Sequence, residues 1–219
     1  MNRGELKTLV SVWLDDLQFG YFTESQIDTW LNNAQFEVQK RLVLAGVNWY
    51  LKVQQTTMVP NQANYALPDD FLKSHRLEII MSGTYPNENI QRLGYLALNQ
   101  QDRMPWINPT TPIGFYFKKN SLILVPVPDA ALLMRLYYSY RVSPMTSDAE
   151  VPDAPEQYHE FLAVLAAKDG FLKDREVPDW LTLKSEQYDE MLKADANERS
   201  QDDGRDIVVT EDYGDGYIY

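Results

Sequence analysis

The chain has no cysteine, only two histidines among 219 residues and no long apolar run. Without thiols there is no disulfide framework, no thiolate metal site and no cysteine nucleophile, so the fold must hold by packing. His159-Glu160 could open a zinc-protease helix, but Ala163 occupies the place where a second histidine is needed, and the pair reads as an exposed helix start. His75 stands beside Arg76, remote from any serine elbow, and G-x-S-x-G does not occur. The phosphate-cradling patterns G-x-x-x-x-G-K-[ST] and G-x-G-x-x-G are missing as well. No cofactor and no metal are expected. No segment approaches the roughly 18 apolar residues of a membrane span. The first twenty residues carry Asp15 and Asp16 and lack the apolar centre of a secretory signal, so a soluble protein made in the cytoplasm is expected.

Positive charge is also scarce. Lys and Arg total 20 against 32 Asp and Glu, a net charge of −12. Strong nucleic-acid binding requires cations to neutralise phosphates, and this chain is expected to repel DNA instead. What is present is ordinary globular material, 44% hydrophobic and 24% charged, enough to bury a substantial core.

The run from Pro112 to Pro144 is the most informative stretch, a compact β unit punctuated by prolines between two helical regions and without a catalytic grouping. Before it, Leu6, Leu9, Val10, Trp13, Leu14 and Leu17 recur with helical spacing up to Gly20. Thr23 and Gln26 form a capping box for a second helix with Ile27, Trp30, Leu31, Ala34, Val38 and Leu42 on one face, ending at Gly46. The short connection predicts an antiparallel hairpin, with Trp13 and Trp30 in its core. Tyr50 to Val59 reads as a strand returning through Tyr65-Ala66-Leu67, Leu77 to Met81 as another, and Tyr95 to Arg103 as a short helix. Trp106 and Ile107 are expected to dip from a proline-rich loop into a core or interface. Phe115-Tyr116-Phe117 and Leu122-Ile123-Leu124-Val125 form a hairpin. A longer strand, Leu132 to Val142, places Leu132, Met134, Leu136, Tyr138 and Tyr140 on one face. After a linker from Ser143 to Pro155, Tyr158, Phe161, Leu162, Leu165 and Ala166 start a helix ending near Arg175, and a last helix from Trp180 uses Leu183, Met191 and Leu192 as its apolar positions.

Three acid pairs, Asp15-Asp16, Asp69-Asp70 and Asp202-Asp203, could in principle supply the two carboxylates of a glycan hydrolase, but sequence spacing cannot establish that geometry. They read more simply as solvated turns or helix caps, with Asp69-Asp70 a helix-start cap after Pro68. A carbohydrate-binding accessory module built on Trp106 and neighbouring aromatics is a third possibility.

The segment from Gln201 onward is acidic and Gly-rich, yet contains Ile207, Val208, Val209, Tyr213, Tyr217, Ile218 and Tyr219. Ordering it costs roughly 1–2 kcal/mol per residue in backbone entropy. Burying seven large side chains returns about 1.5–3 kcal/mol each, near balance, so it is expected to be loose in the free monomer and to order on a partner. Ile207-Val208-Val209-Thr210 suits strand addition to a partner's sheet edge, with the tyrosines as anchors. A purely solubilising terminus would not need those aromatics.

The helix carrying Ile27, Trp30, Leu31 and Ala34, the element Tyr65-Ala66-Leu67-Pro68-Asp69-Asp70-Phe71, the strand Leu122-Ile123-Leu124-Val125-Pro126-Val127-Pro128, the Leu132 to Val142 strand and the closing helix pair together resemble a head-to-tail adaptor, the connector ring of short-tailed bacteriophages. The resemblance spans nearly the whole chain. It implies a non-enzymatic virion protein of the neck, assembled in the host cytoplasm. The implied fold is α+β, mainly α, with a helical bundle from residues 1–48 and 156–200, an inserted antiparallel β domain at 49–155, and an extended portal-binding tail at 201–219. The implied partners are its own copies in a dodecameric ring, the portal protein, and tail nozzle and fibre proteins, with genomic DNA passing through without tight binding.

Overall fold

The computed structural model describes residues 1–82, 89–96, 111–174 and 176–203. Helix α1 (Arg3–Trp13) opens on a capping box: the Asn2 side chain accepts from the Glu5 amide at 2.8 Å and Glu5 accepts from the Asn2 amide at 3.0 Å. It stops well before Gly20. The Asp16 carboxylate collects the amides of Gly20, Tyr21 and Phe22 at 2.8, 3.0 and 2.7 Å, which shapes the connection and leaves Leu17 in solvent, contrary to its expected core position. Those bonds, that from Phe22 foremost, hold the Asp16 carboxyl below its ordinary range.

Helix α2 (Glu24–Leu44) starts at the expected Thr23/Gln26 capping box and buries Ile27, Leu31, Ala34, Val38 and Leu42; Gly46, at φ +82°, turns the chain out of it. Near the other end of the chain, a single 3₁₀ turn (Glu156–Tyr158) leads into α3 (His159–Asp174), and α4 (Asp179–Asp203) closes the bundle. The apolar face of α4 differs from expectation. Leu181, Ser185 and Leu192 are the buried positions, whereas Leu183 is 59% exposed and Met191 is also exposed. Trp13 and Trp30 are half-buried at the edge of the bundle core.

Between the two helix pairs lie β1 (Leu51–Thr57), β2 (Asn64–Ala66), β3 (Phe71–Ser82), β4 (Asn89–Tyr95), β5 (Gly114–Lys118), β6 (Ser121–Val125) and β7 (Leu133–Tyr140), in spatial order β1-β7-β3-β4-β5-β6-β2. The sheet curls around Met58, Tyr65, Leu77, Ile79, Phe115, Leu122, Leu124, Met134 and Leu136. This corrects the mainly α expectation: among the described residues four helices are matched by a seven-stranded sheet with a core of its own, an α+β fold. Nor is the sheet wholly antiparallel, because β4 and β5 run parallel through Gly94↔Gly114 and Tyr95↔Phe115.

Tyr65-Ala66 does not return onto β1. Seven residues of β1 pair with β7, whereas β2 adds three residues to β6; the longer distant ladder satisfies more backbone groups than the local hairpin would. Asp69-Asp70 caps no helix; it forms the turn into β3, which begins at Phe71, well before the expected Leu77. The Phe115/Leu122 hairpin forms as read, with Lys119 at φ +55° in its turn. The expected helix at Tyr95 is instead the end of β4; its remainder and Trp106-Ile107 lie outside the described residues.

Candidate interaction surfaces

Asp70 and Asp16, two of the acids that invited an enzymatic reading, serve the scaffold. Partial burial alone would raise the Asp70 carboxyl, but the Lys52 ammonium at 2.7 Å and the Tyr138 hydroxyl at 2.9 Å hold it below the ordinary range. A carboxylate so held stays ionised and is unsuited to donate a proton to a leaving group. Its partner Asp69 is an exposed turn residue. The second pair is the Asp16 loop clasp already described, and the side chains of Asp202-Asp203 lie outside the described residues.

His159, expected at the surface, is buried. Its Nε2 bonds the Ala154 carbonyl at 3.0 Å and its Nδ1 meets the Met1 ammonium at 2.9 Å, which fixes Nε2 as donor and Nδ1 as acceptor. His75 lies 2.7 Å from the Ser139 hydroxyl, which is sealed inside the sheet. Among the described residues no group of three or more His, Asp or Glu is placed to hold a metal, and no helix is long and apolar enough to cross a membrane.

The joint between bundle and sheet is built from amides. On α2, Asn32 bonds both the carbonyl and the amide of Met145 (3.2 and 2.7 Å). Gln35 bonds the Ser143 carbonyl and the Asp153 amide (2.9 and 3.2 Å), and Gln39 the Tyr140 carbonyl and the Val142 amide (2.6 and 3.2 Å). Three side chains at helical spacing thus satisfy six backbone groups of the segment that leaves β7, docking it on the bundle as a ladder partner would. Sequence reasoning missed them. The available signal was amides interleaved with the buried stripe of α2, where an apolar residue would be the default.

The same segment is tied to α1 by charge. Arg3 and Lys7, both buried, converge on Asp148, with Lys7 also reaching Asp28 at 3.1 Å and Glu24 at 3.3 Å. Hydrogen bonds from Lys7 and then Arg3 keep the Asp148 carboxyl below its ordinary range.

Helix α4 carries the tail and is gripped along one side. Tyr188 stacks on Phe161 at 5.1 Å, and Glu160 takes an ion pair from Lys184 and the Tyr188 hydroxyl at 2.6 Å. Arg41 of α2 pairs with Asp189, while Asp195 accepts from the Tyr158 hydroxyl (2.7 Å) and the Gln157 amide (2.8 Å). On its exposed side Trp180, Leu183 and Met191 form an apolar stripe. The expected partner-binding residues Ile207, Val208, Val209, Tyr213, Tyr217, Ile218 and Tyr219 lie outside the described residues.

A groove of about 580 Å³ lies where α2 meets the start of β3. Phe36, Val43, Leu44 and Leu72 give it apolar walls, Leu44 being 70% exposed, and Lys40, Lys73 and Arg141 ring it with positive charge.

No curated protein matches the chain. A protein-family model, described as SU10 adaptor protein, matches residues 1–210, which takes in both helix pairs, the sheet and the start of the tail.

Proposed function

We propose that this chain, which belongs to the SU10 adaptor protein family of bacteriophage adaptors, is a structural, non-enzymatic virion component that docks as a ring beneath the portal. It extends the DNA channel and offers a platform for the tail nozzle and fibres. The family match over residues 1–210 carries the reading.

Several features of the chain support it. The bundle is clamped to the sheet by a buried amide ladder and a charge network, many fixed contacts of the kind a structural junction requires. The exposed stripe of Trp180, Leu183 and Met191 provides apolar area for a neighbouring copy in a head-to-tail interface that closes into a ring. Finally, α4 is held firmly to the bundle and points its C-terminal end onward, so residues 201–219 would start from a fixed base. In a ring, many weakly held tails act together, because the first contact raises the effective concentration of the rest. The net charge of −12 suits a conduit from which DNA must slide freely.

The test is to mix purified protein with portal rings and follow co-migration. The full chain should form a complex, and deletion of Gln201 to Tyr219 should abolish it; equal binding by the truncated chain would overturn the role given to the tail.

A further inference from the structure

The groove between α2 and β3 concentrates cations on a chain that is strongly acidic overall. Lys40, Lys73 and Arg141 line it together with Phe36, Val43, Leu44 and Leu72; Lys40 also lies 3.6 Å from the partly exposed Glu37 carboxylate and Lys73 donates to the Val43 carbonyl at 3.4 Å. Its complement exists in the same chain: residues 204–219 contain Asp206, Glu211, Asp212 and Asp215 against the single cation Arg205, interleaved with Ile207-Val208-Val209, Tyr213, Tyr217, Ile218 and Tyr219. We propose that this groove is an intramolecular seat for the chain's own C-terminal segment, occupied while no portal is engaged.

The reach fits. Helix α4 runs alongside α2, with Asp189 paired to Arg41, which lies at the same level of α2 as the groove residue Lys40 and about 100° round the helix from it. From Asp189 to Asp203 the helix advances by about 21 Å at 1.5 Å per residue. An extended chain covers roughly 3.3 Å per residue, so about seven residues bring it back to the level of the groove. That leaves the stretch from Glu211 onward to lie there, its acids facing Lys40, Lys73 and Arg141 and its tyrosines on Leu44 and Leu72. Occupied in this way, the tail is shielded from wrong partners, and the portal takes it by competition, since a segment with two seats distributes by its affinity for each. The proposal extends the portal reading, but its first test involves no portal.

A photo-reactive benzoylphenylalanine in place of Tyr213 in the full chain should, on irradiation, cross-link within one molecule to peptides containing Phe36–Leu44, Leu72-Lys73 or Arg141. Lys73→Glu with Arg141→Glu should cut that yield at least about tenfold, as should raising salt to about 1 M, where charges are screened within about 3 Å. Adding Glu211→Lys and Asp212→Lys to the reversed groove should restore it. All four positions are exposed or lie in the tail, and an unchanged thermal midpoint confirms folding. Cross-links scattered over other surfaces, links between isotopically heavy and light copies, or a yield indifferent to charge reversal would overturn the proposal. In a separate arm, portal binding by Lys73→Glu/Arg141→Glu should equal or exceed that of the unaltered chain. Failure of every form to bind portal would remove the portal reading and leave the groove result standing.

Discussion

Gln39 is a side chain whose removal directly loosens the joint, because it is buried and satisfies the Tyr140 carbonyl and the Val142 amide at once. Gln39→Met keeps the volume but strands both backbone groups, and should lower unfolding free energy by about 2–3 kcal/mol, read from the urea midpoint. His159 sets a pH dependence. Burial lowers its pKa first and the Met1 ammonium adds to that, against the opposing Ala154 carbonyl, so the folded protein holds a neutral ring. Between the folded value and the unfolded value of about 6.5, the unfolded chain binds more protons, so stability is full above about pH 6.5 and falls as pH drops below it. Denaturation midpoints measured from neutral to mildly acid pH should decline, and His159→Gln should flatten that decline. Asp148 adds a second loss at lower pH: its depressed carboxyl contributes stability above the unfolded carboxylate range, and this is lost as pH falls through its folded value.

Among the elements, the parallel contact of β4 with β5 is the weakest seam in the sheet, only two residue pairs long. Gly114 lies there with no room to spare, since a Cβ would come within 2.7 Å of the Leu96 side chain. Gly114→Ala should therefore cost about 1–3 kcal/mol through overpacking. Combined with Leu96→Ala, the total should fall short of the sum of the single losses by about 1 kcal/mol, which a double-mutant cycle in urea would measure. The sequence discloses elements better than their partners. Helix α2 and the β5–β6 hairpin were legible because cap, periodicity and turn residues all lie within a few positions of one another. The β1–β7 and β2–β6 pairings depend on distant ladders and were not. Helix α4 misled for a related reason. Its apolar residues are few, and periodicity alone cannot tell Leu181 and Leu192, which join the bundle core, from Leu183 and Met191, which face outward. Asp70 and His159 read as surface groups because their partners, Lys52 and Tyr138 for the one and Met1 for the other, are remote in sequence. The mainly α expectation came from the resemblance and understated the strands, which are short and each leave a weaker periodic signal than a helix.

At the scale of the whole molecule, two packed cores meet through α2 in a chain of net charge −12, with an apolar stripe on α4 and a basic-rimmed groove beside α2. Leu183→Glu leaves the bundle core untouched and should preserve the thermal midpoint while reducing ring formation at least about tenfold, since a charge on a closing interface is repeated at every contact. Sedimentation velocity in the presence of portal would read the difference. On the proposed reading, the tail decides whether such a ring has a place to sit. The direct measurement is the mass of portal rings after incubation with the full chain and with a chain ending at Ser200. The account predicts that portal gains the mass of a complete dodecameric ring from the full chain and nothing from the shortened one. Portal loaded equally by both, or gaining only isolated copies, would contradict it.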